Sequence, residues 1–248
     1  MSGLISWPVA VAAARERLRS PVVLLLALFS VLLGLWRTVS ESFGADVFSS
    51  LGALLLGLLT LTLGAGLLTE EFDSGHAQLV LLRPITRAQW FGGRLAGAAM
   101  ILGGTVLATW LASLVTAVGH GARLNFLLRL SVLPLTLAWV FAWLALLVAL
   151  NTVFASWTNA AFLLLFVLAW SFIHKLVPLA LGKPELAALL DQVDKLLGPQ
   201  ETLGAASDLY RGLRPDLGPA LYDLFWFFAA WLFGVLLFNR RELARRRT

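Results

Sequence analysis

Asp73, Ser74 and His76 lie within four residues of one another and are the nearest this sequence comes to a hydrolytic trio. A serine nucleophile needs a base within hydrogen-bond reach, a third group that orients the base, and a site closed to water. Here the serine and histidine share a short polar stretch with Glu70 and Glu71 as well as Asp73. A solvated turn accounts for all five, and no catalytic residue is assigned. His76, His120 and His174 fall in three separate polar segments and offer no common metal site. Cysteine is absent, which removes disulfide and thiol chemistry. The run G-x4-G-K-S/T is also absent, so no phosphate-cradling loop is present and no cofactor is expected on this chain. Lys175 is the cation nearest an apolar run. It either snorkels to lipid headgroups or meets an anionic substrate headgroup. Trp139 and Trp143 share one face of another run and either pack the core or wall a substrate path.

The elements that carry these residues are apolar. Hydrophobic residues make up 59 % of 248 and charged residues 13 %, against about 25 % charged in soluble domains. Mean hydropathy is +0.85. The composition is that of an integral membrane protein. Its net charge of +5 speaks of topology and lipid contact, not of nucleic acid. No cleavable signal peptide is expected, because the first apolar run starts after residue 20, follows arginines and lacks a small-residue exit.

Six apolar runs are predicted to span, over residues 22–36, 47–68, 95–118, 130–150, 160–173 and 221–238. The fifth is interrupted by His174-Lys175 and Pro178 and resumes over 176–181. Arg37 opens a brief exterior turn. The fold class is therefore all-α, a single six-span domain over residues 21–248. Residues 1–20 precede it as an interfacial helix, since Leu4, Trp7, Val11, Ala14 and Leu18 form an apolar stripe with Arg15, Arg17 and Arg19 off it. Residues 182–219 form an exterior amphipathic segment. In it Pro184 opens one helix, Gly198-Pro199 ends it, and Leu203 to Leu213 suggest a second. Residues 239–248 are a basic tail. Gly93 and Gly97 put small residues at helical spacing on the third run, which permits close helix approach.

Between the second and third runs lies a charged segment, residues 69–94. Charge at the bilayer centre costs roughly 2.5–3.5 kcal/mol per residue, so this segment leaves the membrane. Glu70, Glu71 and Asp73 stand at its front, Arg83-Pro84 breaks it, and Thr86 is placed to cap a second helix beginning near Arg87. The spacing Glu71, Gly75, Leu81-Leu82, Pro84, Thr86, Arg87 and Arg94 resembles the first cytoplasmic loop of ABC-2 type transporter permeases. His76 replaces the family's usual Thr, and Arg94 its usual Lys. Arg15-Glu16 resembles the pair near the end of the family's N-terminal connecting helix, and Phe238 before Arg240-Arg241 resembles its last span.

The resemblance implies a permease coupled to a separate cytoplasmic ABC ATPase, two copies of each, with ATP and Mg on the ATPase. The second permease copy is this chain or a paralogue. Glu70, Glu71, Gly75, Pro84, Thr86, Arg87 and Arg94 would then belong to the coupling helix that seats on the ATPase. Eleven of the 19 Lys and Arg residues fall on the face holding both ends and the central segment, so that face is expected in the cytoplasm and the chain in the inner membrane. An exterior partner could bind through residues 182–219. The spans lack a clear intramembrane carboxylate, Asp223 lying only at the edge of the last run, which argues against an ion-driven carrier. The alternative function is a membrane anchor or assembly factor that docks cytoplasmic and exterior partners without transporting.

Overall fold

Residues 5–39, 50–68, 85–119, 126–154, 157–197, 199 and 218–240 are described by the computed structural model, and every regular element among them is an α-helix. Helix α1 (Trp7–Leu18) starts with Pro8 in its first turn, where the missing N–H is no loss. Arg19 and Ser20 break the helix, and α2 (Pro21–Val39) leaves at 85° to it. Then follow α3 (Ser50–Gly64), α4 (Arg87–Gly119), α5 (Phe126–Leu150), α6 (Thr158–Leu181), α7 (Pro184–Leu197) and α8 (Gly218–Arg240).

Among the described residues, α4, α5, α6 and α8 are long and apolar enough to cross a membrane, and the bent pair α1–α2 makes a fifth candidate. Six crossings were expected. The second expected span appears as α3, whose 15 residues rise only about 22 Å against a hydrocarbon core of about 30 Å. The chain stays buried beyond the helix end, through Ala65, Leu67 and Leu68. Arg37 opens no turn but lies inside α2.

His174, Lys175 and Pro178 do not interrupt the fifth run either, because α6 is continuous from Thr158 to Leu181. Pro178 lies in the last turn, and the helix ends four residues later at Gly182, φ 60°. There the N–H of Gly182 donates to the Leu179 carbonyl and that of Lys183 to Pro178. This paired Schellman closure needs a left-handed residue, which glycine supplies without a Cβ penalty. Pro184 then opens α7, as expected. His174 Nε2 meets Asp191 Oδ1 at 2.8 Å and holds the two helices together as a hairpin.

Helix α4 is central: α1, α2, α3, α5 and α8 all pack on it. Gly34 of α2 lies against the Thr109 carbonyl, where a Cβ would come to 2.7 Å. Buried hydroxyls are satisfied within their own helices, as in Thr60 to Leu56, Thr105 to Ile101 and Thr136 to Val132, so they add no uncompensated polarity to the interior. Helix α6 is peripheral. Ala160 and Leu163 near its start pack with Ala65 and Leu147, while Leu165, Leu168, Phe172 and Leu179 are exposed.

Candidate coupling site

Helix α4 begins with a reciprocal cap. The Thr86 hydroxyl accepts from the Gln89 N–H at 3.2 Å, and Gln89 Oε1 accepts from the Thr86 N–H at 3.0 Å. This capping box satisfies two orphan donors and fixes where the chain re-enters the bundle after the central segment. Thr86 is thus the N-cap and Arg87 the first helical residue, as the sequence predicted.

One turn further in, α1 lies across α4. The Ser6 N–H donates to the Gln89 carbonyl at 3.2 Å. A Cβ on Gly93 would come within 2.9 Å of the Ser6 carbonyl and the Val9 side chain, and one on Gly97 within 2.5 Å of the Ala10 carbonyl and 2.7 Å of Ala13 Cβ. The glycine pair and the alanine face of α1 therefore bring the two backbones into contact. The exposed residues of α1 include Trp7, Val11 and Leu18. These belong to the stripe predicted to meet lipid, whereas Ala14, counted in that stripe, is buried with Ala10 and Ala13.

At this crossing Arg94 is buried and its Nη1 donates to Glu16 Oε2 at 2.7 Å. Its guanidinium carbon lies 5.9 Å from the centroid of the Trp90 ring, within cation–π range. Trp90 stacks on Phe238 with centroids 5.3 Å apart, and Phe91 contacts the same ring at 6.4 Å. Arg87 Nη1 donates to the Asn239 carbonyl at 3.1 Å, an acceptor in the final turn of α8. The residues singled out at the N-terminal arm, the central segment and the last span so converge on one end of the bundle, although they are up to about 220 residues apart in the chain.

The limb entering the central segment is held as well. Helix α3 stops at Gly64, followed by Gly66 at φ 64°, and its last carbonyls have no partner within the helix. Arg17 Nη2 donates to the Ala65 carbonyl at 3.3 Å. Asn151 Nδ2 donates to the Gly64 carbonyl at 2.6 Å and to Leu147 at 3.1 Å. Asn159 Nδ2 reaches the same two carbonyls, at 3.4 and 3.1 Å. Consecutive residues of α1 therefore grip both limbs, with Arg17 on the one that goes out and Glu16 on the one that returns.

Glu70, Glu71, Gly75 and Pro84 lie outside the described residues, as does the Lys175 side chain; Lys175 itself falls on α6. Trp139 packs against the main core and Trp143 against the small cluster around Leu147. Asp223, at the edge of the last apolar run, stands five residues into α8 and is fully buried. Arg17, Asn151 and Asn159 were missed as site residues. The available signal was two asparagines framing an uncharged turn between apolar runs, where an amide that meets no water must find a protein partner.

The geometry defines a polytopic α-helical membrane protein whose one end is knitted together around a charged excursion. A family model described as ABC-2 family transporter protein matches residues 10–243, and the chain belongs to that family. A search among curated proteins finds no match.

Proposed function

We propose that this chain is the membrane permease of an ATP-driven exporter, coupled through residues 69–94 to a separate cytoplasmic ABC ATPase. The observation that carries the reading is the double grip of α1: Arg17 on Ala65 and Glu16 on Arg94. A solvated loop needs charge but no such fastening. A segment that receives force and passes it to helices must be fixed at both limbs.

In this reading two permease copies, or one copy and a paralogue, sit on two ATPase subunits that carry ATP and Mg. ATP-driven closure pushes on residues 69–84, and α1, α3 and α4 convert the push into tilting of the spans. Both chain ends lie in the cytoplasm and the exposed face of α1 rests in the inner leaflet. Glu70, Glu71, Gly75 and Pro84 face the ATPase. Thr86, Arg87 and Arg94 set the angle and seating of the returning helix. The α6–α7 hairpin lies outside, where residues 182–219 are available to an exterior partner, and Lys175, Trp139 and Trp143 are the residues nearest a lipid-like cargo.

The test is expression with a candidate ABC ATPase subunit, followed by purification and ATPase assay in vesicles. The expected result is a stable complex whose hydrolysis responds to cargo. A chain that purifies without any ATPase and alters no solute distribution would support the anchor reading instead.

A further inference from the structure

Asn151 closes α5 and Asn159 opens α6, and both are fully buried. Their Nδ2 groups converge on the Gly64 and Leu147 carbonyls. The two helices α3 and α5 also approach closely here, since a Cβ on Gly64 would lie 2.8 Å from Leu147 Cβ. The amides cannot be turned over, because their oxygens would then face carbonyl oxygens. Among the described residues the two Oδ1 atoms have no hydrogen-bond partner. A buried acceptor left over is a cost, so what this site selects is a pair of donors. Gly64 is the last helical residue before the chain runs out into the central segment. The core here is otherwise apolar, formed by Ala65, Leu147, Ala160 and Leu163, and apolar contacts slide where hydrogen bonds do not.

We infer that Asn151 and Asn159 are positioning residues for coupling. Their amides tie the exit of α3 to the adjoining ends of α5 and α6, so that a push on residues 69–84 reaches the peripheral helix α6 through hydrogen bonds. This rests on the permease reading above. Helix α6 needs such a tie, because its exposed flank makes few other contacts with the bundle. Gly64 O is the acceptor that moves and the two amides follow it.

The chain has no cysteine, so Phe172→Cys and Phe225→Cys, both exposed positions on α6 and α8, accept a spin-label pair without further change. The labelled chain is purified with its ATPase, and interspin distances are measured with and without ATP plus vanadate. ATP is expected to shift the distribution in the parent. In Asn159→Leu the shift should be lost while ATP hydrolysis stays within about twofold of the parent. Asn159→Asp keeps the shape but donates only when protonated, so its shift should fall as pH rises and recover on acidification, with the parent responding throughout. That pH dependence distinguishes a donor from a filler of space, and it remains readable where the leucine variant folds poorly. A full ATP-driven shift in Asn159→Leu, or one in Asn159→Asp that does not change with pH, overturns the latch and leaves the permease reading standing. A parent that binds no ATPase, or shows no shift, overturns the permease reading and the latch with it.

Discussion

Glu16 and Arg94 stand 78 residues apart and form a 2.7 Å ion pair that joins α1 to α4. The arginine is buried while the carboxylate side chain is 53 % exposed, so the pair lies where the protein interior meets headgroups or water. The partner that loses most when the pair is broken is Arg94, because it cannot turn to solvent without moving α1.

Glu16→Ala should therefore cost more than the 0–1 kcal/mol of a surface pair and less than the 3–5 kcal/mol of a fully buried one, about 1–3 kcal/mol. Thermal unfolding in detergent measures it. A double-mutant cycle with Arg94→Met should recover most of the loss, since the methionine fills the space and leaves no unpaired charge. Additive losses would mean that the two residues act independently.

The α1–α4 crossing makes a sharper steric forecast. Gly97→Val places its branches where the Ala10 carbonyl and Ala13 Cβ already stand within 2.7 Å of a Cβ. Backbone must shift, so a loss of about 2–3 kcal/mol is expected and α1 should become accessible to protease. Gly104 on the same helix meets nothing within 4 Å. Gly104→Ala should be neutral or gain up to about 1 kcal/mol from helix propensity. Equal behaviour of the two would refute the close crossing.

Orientation is checked without purification. The face holding the ends and the central segment carries eleven of 19 cationic residues, and five of the remaining eight lie from Lys175 onward, interspersed with acids. Positive charge near span ends is retained in the cytoplasm. A reporter active only in the cytoplasm should work when fused after Thr248 and fail when fused at Gly198. The opposite pattern would place the coupling site outside the cell and end the proposed function.

Legibility in the sequence followed the kind of signal each element carries. Thr86 announced the start of α4 because an N-cap is a local signal, while Gln89, which completes the capping box from three residues on, went unremarked. The apolar runs were plain as runs, though among the described residues only four helices, or five with the bent α1–α2 pair, are long enough to cross. The failures were non-local. Pro178 reads as a breaker, yet near a helix end it costs one bond, its own to the carbonyl four residues back, and α6 runs on to the Gly182 closure. Ala10 and Ala13 look like filler until Gly93 and Gly97 are seen across from them. Asn151 and Asn159 show no periodicity, and their partner is a backbone carbonyl 87 and 95 residues away, which no local pattern encodes.

Arg87 offers the most direct test of coupling. Solvation alone would give a charged segment leaving the membrane no need of a particular cation. The structure gives Arg87 a specific partner, the Asn239 carbonyl at 3.1 Å, in the final turn of the helix that leads to the basic tail. Residue 87 thereby ties the returning limb of the central segment to the last span. Glu71 stands at the outgoing limb, and a charge docked on a partner is worth more than an exposed one. Glu71→Ala and Arg87→Ala should leave membrane insertion intact. Each should weaken ATPase association or lower transport per ATP by about tenfold, the equivalent of ~1.4 kcal/mol. Arg87→Lys should restore only part of this, because an ammonium can reach one carbonyl but lacks the planar fork that fixes direction. Arg245→Ala, in the tail beyond α8, serves as the control and should change little. Membrane yield, copurified ATPase and transport in vesicles are measured on the same preparations. Unchanged complex and transport in all of the Glu71 and Arg87 variants would return these charges to plain solvation and strip the segment of its coupling role.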